Sequence, residues 1–207
     1  VCLPRLVLID LSSAGNQSIH NEDKSVWIVF NGEIYNHLAL RKELTEAGYS
    51  FQTDHSDTEV IIHGWKHWGE QLVNKLNGMW AFALYDQKQQ LLFLSRDRFG
   101  QKPLYWGHHQ NHFVFSSELG PLRTVFKQTL QLHPLALKKY FAYAYIPSPL
   151  SLYKGIHKLP AGWNLKLQLK TGNVASSPYW KFKLNPESQL KKSNPIEIGN
   201  EILRLLN

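Results

Sequence analysis

The sequence holds one cysteine and one methionine in 207 residues. A single cysteine excludes an internal disulfide framework and leaves Cys2 as the one thiol available for nucleophilic chemistry. No apolar run approaches the roughly 18–20 residues needed to span a bilayer. No basic-then-apolar leader with a small-residue cleavage site opens the chain. These absences lead us to expect a soluble, cytoplasmic protein with no membrane contact. Long blocks of one charge are missing too. The formal charge is +7, but Lys and Arg are scattered and no run exceeds a pair such as Lys191-Lys192. No recognition-helix or RNA-binding signature accompanies them, so the expectation is a solvated basic surface and no nucleic-acid partner.

What is present suffices for a core. Hydrophobic residues make up 43% and aromatic residues 13% of the chain, which argues against disorder. The length fits one large domain, or one domain and part of a second. Residues 6–10 read as a buried strand, followed by a polar turn region from Ser12 to Asp23. Ser25 to Phe30 reads as a second strand ending at Asn31-Gly32. Asn36 is a plausible N-cap for a helix to about Ala47, stopped by Gly48. Ser56-Asp57-Thr58-Glu59 has capping-box spacing and predicts a helix with Val60, Ile61, Trp65 and Trp68 on one face. Met79–Tyr85 and Leu91–Arg96 predict a hairpin about Asp86–Gln90, and Pro103–Trp106 with His112–Ser116 a second. Leu135–Tyr145 reads as helix. Trp163 to Leu169 alternates as a half-buried strand before a turn at Thr171-Gly172. Residues 195–206 have helical spacing. Strands clustered as hairpins beside a few helices predict an α+β fold with antiparallel sheets.

Chemistry concentrates in Val29–Asn36, VFNGEIYN. An apolar strand delivers Asn-Gly-Glu to what reads as a turn. Gly32 can adopt backbone angles closed to other residues, so its N–H can point outward, and the Asn31 amide is a second donor beside it. Two fixed donors at one point suit a developing oxyanion. Glu33 could bind a substrate ammonium. Alone, the same residues read as readily as an ordinary Asn-Gly turn with a solvated Glu. Asp57 alone is helix-start chemistry, and Arg5 alone a surface cation. Together, one Arg and two carboxylates on three element ends could clamp an α-amino acid, Arg on its carboxylate and Glu33 with Asp57 on its ammonium. Other candidates are weaker. His108-His109-x-x-His112 falls in an expected hairpin turn without a nearby carboxylate or cysteine, so no metal site is expected. His63 and His67 have i, i+4 spacing but Gly64 where a zinc protease has Glu. Arg96-Asp97 reads as a buried pair fixing a loop.

The ordered set RLVLIDLSSAGNQ, VFNGEIYN, SDTEV, GMWAFALYD, RDRFGQKPLYW, FSSEL and KLPAGW resembles the glutaminase domain of glutamine-dependent asparagine synthetases. The resemblance covers nearly the whole chain. NGEIYN with RDRFGQKPLYW sets it apart from the phosphoribosyl-pyrophosphate and glucosamine-phosphate amidotransferases. The resemblance implies the four-layer αββα sandwich of N-terminal-nucleophile hydrolases. It implies a terminal cysteine that attacks the side-chain amide of glutamine with its own α-amine as base. Ammonia then passes to a second domain, where aspartate activated by ATP becomes asparagine. It assigns Arg5 to the glutamine carboxylate, Asn31 and Gly32 to the oxyanion, Glu33 and Asp57 to the ammonium, and main-chain groups near Leu8 and Ile9 to the substrate.

The departures from the family lie at the ends. The family nucleophile begins a Cys-Gly-Ile-x-Gly strand, followed by Arg-Gly-Pro-Asp. Here Cys2 is followed by Leu3-Pro4 and stands three residues before Arg5. It also follows Val1, so it has no free α-amine, and it reads as a small apolar residue. The expected domain is therefore a sandwich lacking its first strand, whose exposed sheet edge leaves self-association as a homodimer open. The pyrophosphate-gripping Ser-Gly-Gly-x-Asp-Ser loop is absent as well. Residues 1–184 read as an N-terminally incomplete glutaminase domain, 185–194 as a linker, and 195–207 as the start of an ATP-binding synthetase domain. No cofactor is expected on these residues; ATP, Mg2+ and aspartate would belong to that second domain. A different ammonia acceptor, or glutamine binding without hydrolysis, are the alternative readings.

Overall fold

The computed structural model of the chain describes residues 19–109, 112–126, 130–184 and 194–206. Alternation builds its central sheet. In the predicted hairpin of β3 (Gly78–Asp86) and β4 (Leu91–Arg96), Trp80, Phe82, Leu84 and Phe93 face one side, and Ala81, Ala83 and Leu94 the other. β2 (Val26–Ile34) pairs with β3 along its whole length, from Val26↔Asp86 to Ile34↔Gly78. β1 (Ile19–His20) adds to β2, while β8 (Trp163–Gln168) and β9 (Asn173–Pro178) extend the sheet beyond β4. The order is β1-β2-β3-β4-β8-β9, with every pairing antiparallel. A smaller antiparallel sheet joins β5 (Tyr105–His109), β6 (His112–Ser116) and β7 (Ile156–Lys158) in the order β6-β5-β7.

Three apolar clusters stack these parts. α1 (His37–Glu46) and α2 (Asp57–Trp68) press Leu40, Leu44, Val60, Ile61 and Trp65 onto Trp80, Phe82 and Phe93. On the opposite face Ala81, Leu94 and Leu165 meet Leu104, Leu159 and Trp106 between the two sheets. α4 (Leu119–Val125) closes the far side through Leu122, which joins Phe126, Ile156 and Val114. The result is the expected helix–sheet–sheet–helix sandwich. Each large side chain buried this way contributes about 1.5–3 kcal/mol. α3 (Leu72–Lys75), α5 (Pro134–Tyr143) and α6 (Pro195–Leu206) complete the elements. No helix among the described residues is long and apolar enough to cross a membrane. The expected strand at residues 6–10 and the linker lie outside the described residues, apart from its last residue, Asn194.

Several local expectations change. β2 does not stop at Phe30: β3 offers a partner to every residue through Ile34, so Asn31-Gly32 lies within a strand and not in a turn. β1 forms inside the expected turn region, and β9 forms from a sequence with little apolar pattern, held by its pairing with β8. His108 and His109 belong to β5, with His109 opposite His112 across the hairpin. Asn36 precedes α1 as expected but makes no side-chain cap. Its amide instead donates to the Lys75 carbonyl and accepts from the Asn77 N–H, tying α1 to the start of β3.

Candidate functional site

The end of β2 is shaped by two glycines. A Cβ on Gly32 would lie 2.1 Å from the Met79 carbonyl oxygen, and one on Gly78 would lie 2.1 Å from that of Glu33. Gly32 is therefore required by the close approach of β3. It does not take the left-handed backbone angles that the sequence reading invoked. Strand alternation places Asn31 and Glu33 on the between-sheet face that also carries Ala81, and Gly32 on the face of Trp80. Both Asn31 and Glu33 are half-buried, and neither side chain has a hydrogen-bond or ion-pair partner among the described residues.

Asp57 reaches this strand end from α2. Its carboxylate accepts the N–H of Ile34 at 3.0 Å, linking residues 23 apart in sequence. The local fold delivers it there. Ser56 caps α2 by accepting the Glu59 N–H at 3.3 Å. Glu59 does not return the bond, as a capping box would; its carboxylate takes the N–H groups of Gln52 and Thr53 and the Thr53 hydroxyl. Arg41 donates to the carbonyls of Thr53 and Ser56 while lying 4.2 Å over the Phe51 ring. The loop before α2 is thus held from both sides, and Asp57 starts the helix in a fixed position.

The two carboxylates of this first turn behave oppositely. Asp57 is pushed above its ordinary value by burial, partly opposed by the Ile34 N–H and by nearby His37. Burial also pushes Glu59 upward, but the nearby His63 ring and hydrogen bonds from Gln52 and Thr53 outweigh it and hold Glu59 at about 2. The N–H groups of Thr58 and of Asp57 itself add to that of Ile34, yet burial outweighs them all, and an ammonium would complete the carboxylate. His37 is a neighbour the sequence reading missed. Its Nδ1 lies 2.8 Å from the Ile34 carbonyl, which only accepts, so Nδ1 carries the proton. Both polar groups of the Ile34 peptide are therefore set by side chains, Asp57 on one side and His37 on the other. The only sequence signal was the position of His37 directly after NGEIYN.

The structure brings Asp57 to the peptide bond that joins Glu33 to Ile34. Cys2, Arg5, Leu8 and Ile9 lie outside the described residues. His63 is buried among Tyr49, Phe51 and the Glu59 carboxylate, 3.7 Å away. Among the described residues, no three His, Cys, Asp or Glu gather to hold a metal. Arg96 and Asp97 do fix a loop, but not by pairing with each other. Arg96 donates to the carbonyls of Lys102, Leu159 and Gly100, each at 2.7 Å. Asp97, fully buried, accepts the N–H groups of Trp80, Phe99, Gln101 and Lys102 at 3.0–3.2 Å. Main-chain groups outnumber the charged partner available to either side chain, so each is spent on the loop.

Comparison with known proteins matches the chain to one family. The pattern described as a glutamine amidotransferase domain covers residues 2–180. The glutamine-hydrolyzing asparagine synthetase 1 of Bacillus subtilis is 36% identical over 182 residues, 88% of this chain and 28% of that protein. The putative glutamine-hydrolyzing asparagine synthetase 2 of Methanocaldococcus jannaschii is 37% identical across 96% of this chain and 41% of its own length. The chain thus spans well under half the length of either relative. The glutamine phosphoribosylpyrophosphate amidotransferase of B. subtilis, complexed with ADP and GMP, superposes with a TM-score of 0.55 at 19% identity. It covers 81% of this chain and 32% of that one. That likeness carries the sandwich fold.

Proposed function

The chain belongs to the glutamine amidotransferase domain family, and on that premise we propose that it binds glutamine and serves its hydrolysis to glutamate and ammonia in a glutamine-dependent asparagine synthetase. The observation that carries the reading is the Asp57 carboxylate bonded to the main chain beside Glu33. Here a helix start and a strand end, far apart in sequence, meet at the peptide that follows Glu33. In this reading Glu33 and Asp57 take the glutamine ammonium, Arg5 takes its carboxylate, and main-chain groups at Leu8 and Ile9 complete the contact. A thiolate attacks the side-chain amide carbon, and negative charge gathers on the carbonyl oxygen. The Asn31 amide and the Gly32 N–H donate to that oxygen. Collapse of the intermediate, with the proton taken from the thiol passed to the leaving nitrogen, expels ammonia and leaves a thioester, which water hydrolyses to glutamate and the free thiol. Cys2, internal and followed by Leu3-Pro4, is given no part as nucleophile. Ammonia is used with aspartate and ATP in a synthetase domain of the complete protein, a second partner of the reaction. In this reading ATP and Mg2+ belong to that synthetase domain, with the Ser-Gly-Gly-x-Asp-Ser loop that the family carries there.

The test is glutamine hydrolysis by the complete protein, with a glutamine-mimicking thiol label read by mass spectrometry. The reading expects Cys2→Ala to leave ammonia release unchanged and the label to miss Cys2. It expects Arg5→Ala and Asp57→Ala each to weaken glutamine binding. Ammonia release that depends on a labelled Cys2 overturns the placement of the nucleophile. Unchanged glutamine affinity in both other variants overturns the clamp.

A further inference from the structure

Away from the Asn31–Asp57 site, a cavity of about 400 Å³ opens beside the loop that follows β4. Arg96, Pro103, Tyr105, Tyr145, Pro147 and Lys158 are among the residues that line it, and Tyr105 and Lys158 are cross-strand partners on β5 and β7. Its walls hold two cations and no carboxylate. Arg96 is oriented by three main-chain carbonyls, and Lys158 donates to the Ile146 carbonyl at 2.6 Å. Neither forms an ion pair among the described residues. Carbonyl dipoles aim a cation without neutralising it. Asp97, the acid next in sequence to Arg96, has its carboxylate committed to three N–H groups of the loop and that of Trp80 on β3. The two charges also feel one another: burial, then the Arg96 charge, pushes the Lys158 ammonium below its ordinary value.

Holding the loop explains how Arg96 is oriented. It does not explain a second unpaired cation, or the open volume between them. A guanidinium has five donors and an ammonium three. Three of the former and one of the latter are used, which leaves four donors, about the number of lone-pair sites on one carboxylate. The remaining lining is apolar and aromatic side chains with Ser148 among them, a mixture that suits a small-molecule site.

We propose that this cavity binds a small organic carboxylate, its anionic head between Arg96 and Lys158 and its apolar body against Pro103, Tyr105 and Pro147. The position is suggestive. Asn31, Ala81 and Arg96 stand in one row across β2, β3 and β4. Arg96 therefore shares a sheet face with Asn31 at about two strand spacings, or roughly 10 Å. The cavity is a neighbour of the candidate glutamine site on one rigid sheet, and it stands whether or not that site hydrolyses glutamine.

Benzoate is a direct probe, with neutral benzamide and inorganic phosphate beside it. Binding to the full chain is followed by calorimetry and by amide shifts at Gly100 and Ser148. The proposal expects saturable benzoate binding at those amides, with benzamide and phosphate each about tenfold weaker or more. Excess glutamine should leave it unchanged. Lys158→Gln should weaken benzoate about tenfold, and Lys158→Arg should restore most of it. Benzamide binding as well as benzoate, phosphate binding as well as benzoate, or displacement by glutamine overturns the proposal. So does the absence of saturable shifts at Gly100 and Ser148. The benzoate and benzamide comparison needs no variant, so a poorly folded Lys158→Gln does not blunt the test.

Discussion

Asn31 on β2 and Asp97 at the end of β4 are both polar residues close to β3, and the fold treats them in opposite ways. Asp97 is fully buried, and its carboxylate gathers four main-chain N–H groups. Asn31 is half-buried, and its amide meets no partner among the described residues. Glu33, on the same face, is equally unengaged. Both are open enough for water to serve them, so their polar atoms stay available to a ligand that displaces it. Saturated side chains hold the frame, and unsatisfied ones beside it mark where a ligand is awaited. The comparison breaks if mutation treats the two kinds alike.

The largest effect is expected at Asp97. Asp97→Ala strands four main-chain donors, three in the loop and one on β3, and should cost about 3–5 kcal/mol of stability in urea unfolding. Asp97→Asn keeps one strong acceptor oxygen and should cost less. A loss below about 1 kcal/mol for the alanine variant would remove Asp97 from the frame.

Asn31→Ala should reverse that profile. With no internal bond to lose, stability should shift by no more than about 0.5 kcal/mol. Glutamine turnover in the complete protein should fall about a hundredfold with little change in binding, as for loss of one oxyanion donor. A large stability loss with normal turnover would put Asn31 in the frame beside Asp97.

Gly32 belongs to both classes and sharpens the contrast. An added methyl meets the Met79 carbonyl oxygen and the Trp80 Cα at 2.8 Å, both main-chain atoms that cannot rotate aside. Gly32→Ala should cost about 2 kcal/mol through forced separation of β2 from β3, with turnover falling as the strand end shifts. Wild-type unfolding in this variant would mean the strands have slack at that point.

How far these roles can be read in advance depends on the residue. The hairpins, α1 and α2 were legible because alternation and capping are local signals, with Ser56 and the Trp80–Phe82–Leu84 face as examples; the sandwich came from the family resemblance. The length of β2 was not, because Asn-Gly is a turn signal on its own and only the partner strand β3 overrides it. The glycine was recognised but for the wrong reason, since close approach of a second strand leaves no trace in one sequence. Asp57 was legible as a helix start. Its bond to Ile34 joins distant segments, and only the family resemblance pointed to it. Arg96 and Asp97 looked like partners because they are adjacent and opposite in charge. Main-chain groups of a tight loop, invisible in the sequence, claimed both.

The smallest and most diagnostic effect concerns Asp57 and Glu59, two carboxylates in one helical turn. Glu59 is held at about 2, below its ordinary 4.5, so its contribution to stability is complete above pH 4.5 and fades as pH falls from there towards 2. Asp57 is raised by burial, so the folded state binds its proton more tightly than the unfolded chain. Its ionisation therefore opposes folding as pH rises through the folded value. Asp57→Asn keeps an oxygen for the Ile34 N–H and removes the buried charge. It should leave the protein at least as stable at neutral pH while weakening glutamine binding about tenfold or more, because the ammonium loses its counter-charge. Glu59→Gln should do the reverse, lowering stability at neutral pH and flattening its decline below pH 4.5, with glutamine affinity little changed. Paired unfolding and glutamine-binding titrations across pH 3–8 read both residues together. If Asp57→Asn destabilises and leaves affinity intact, Asp57 is a helix-start residue like Glu59, and the distinction between frame and site does not extend to α2.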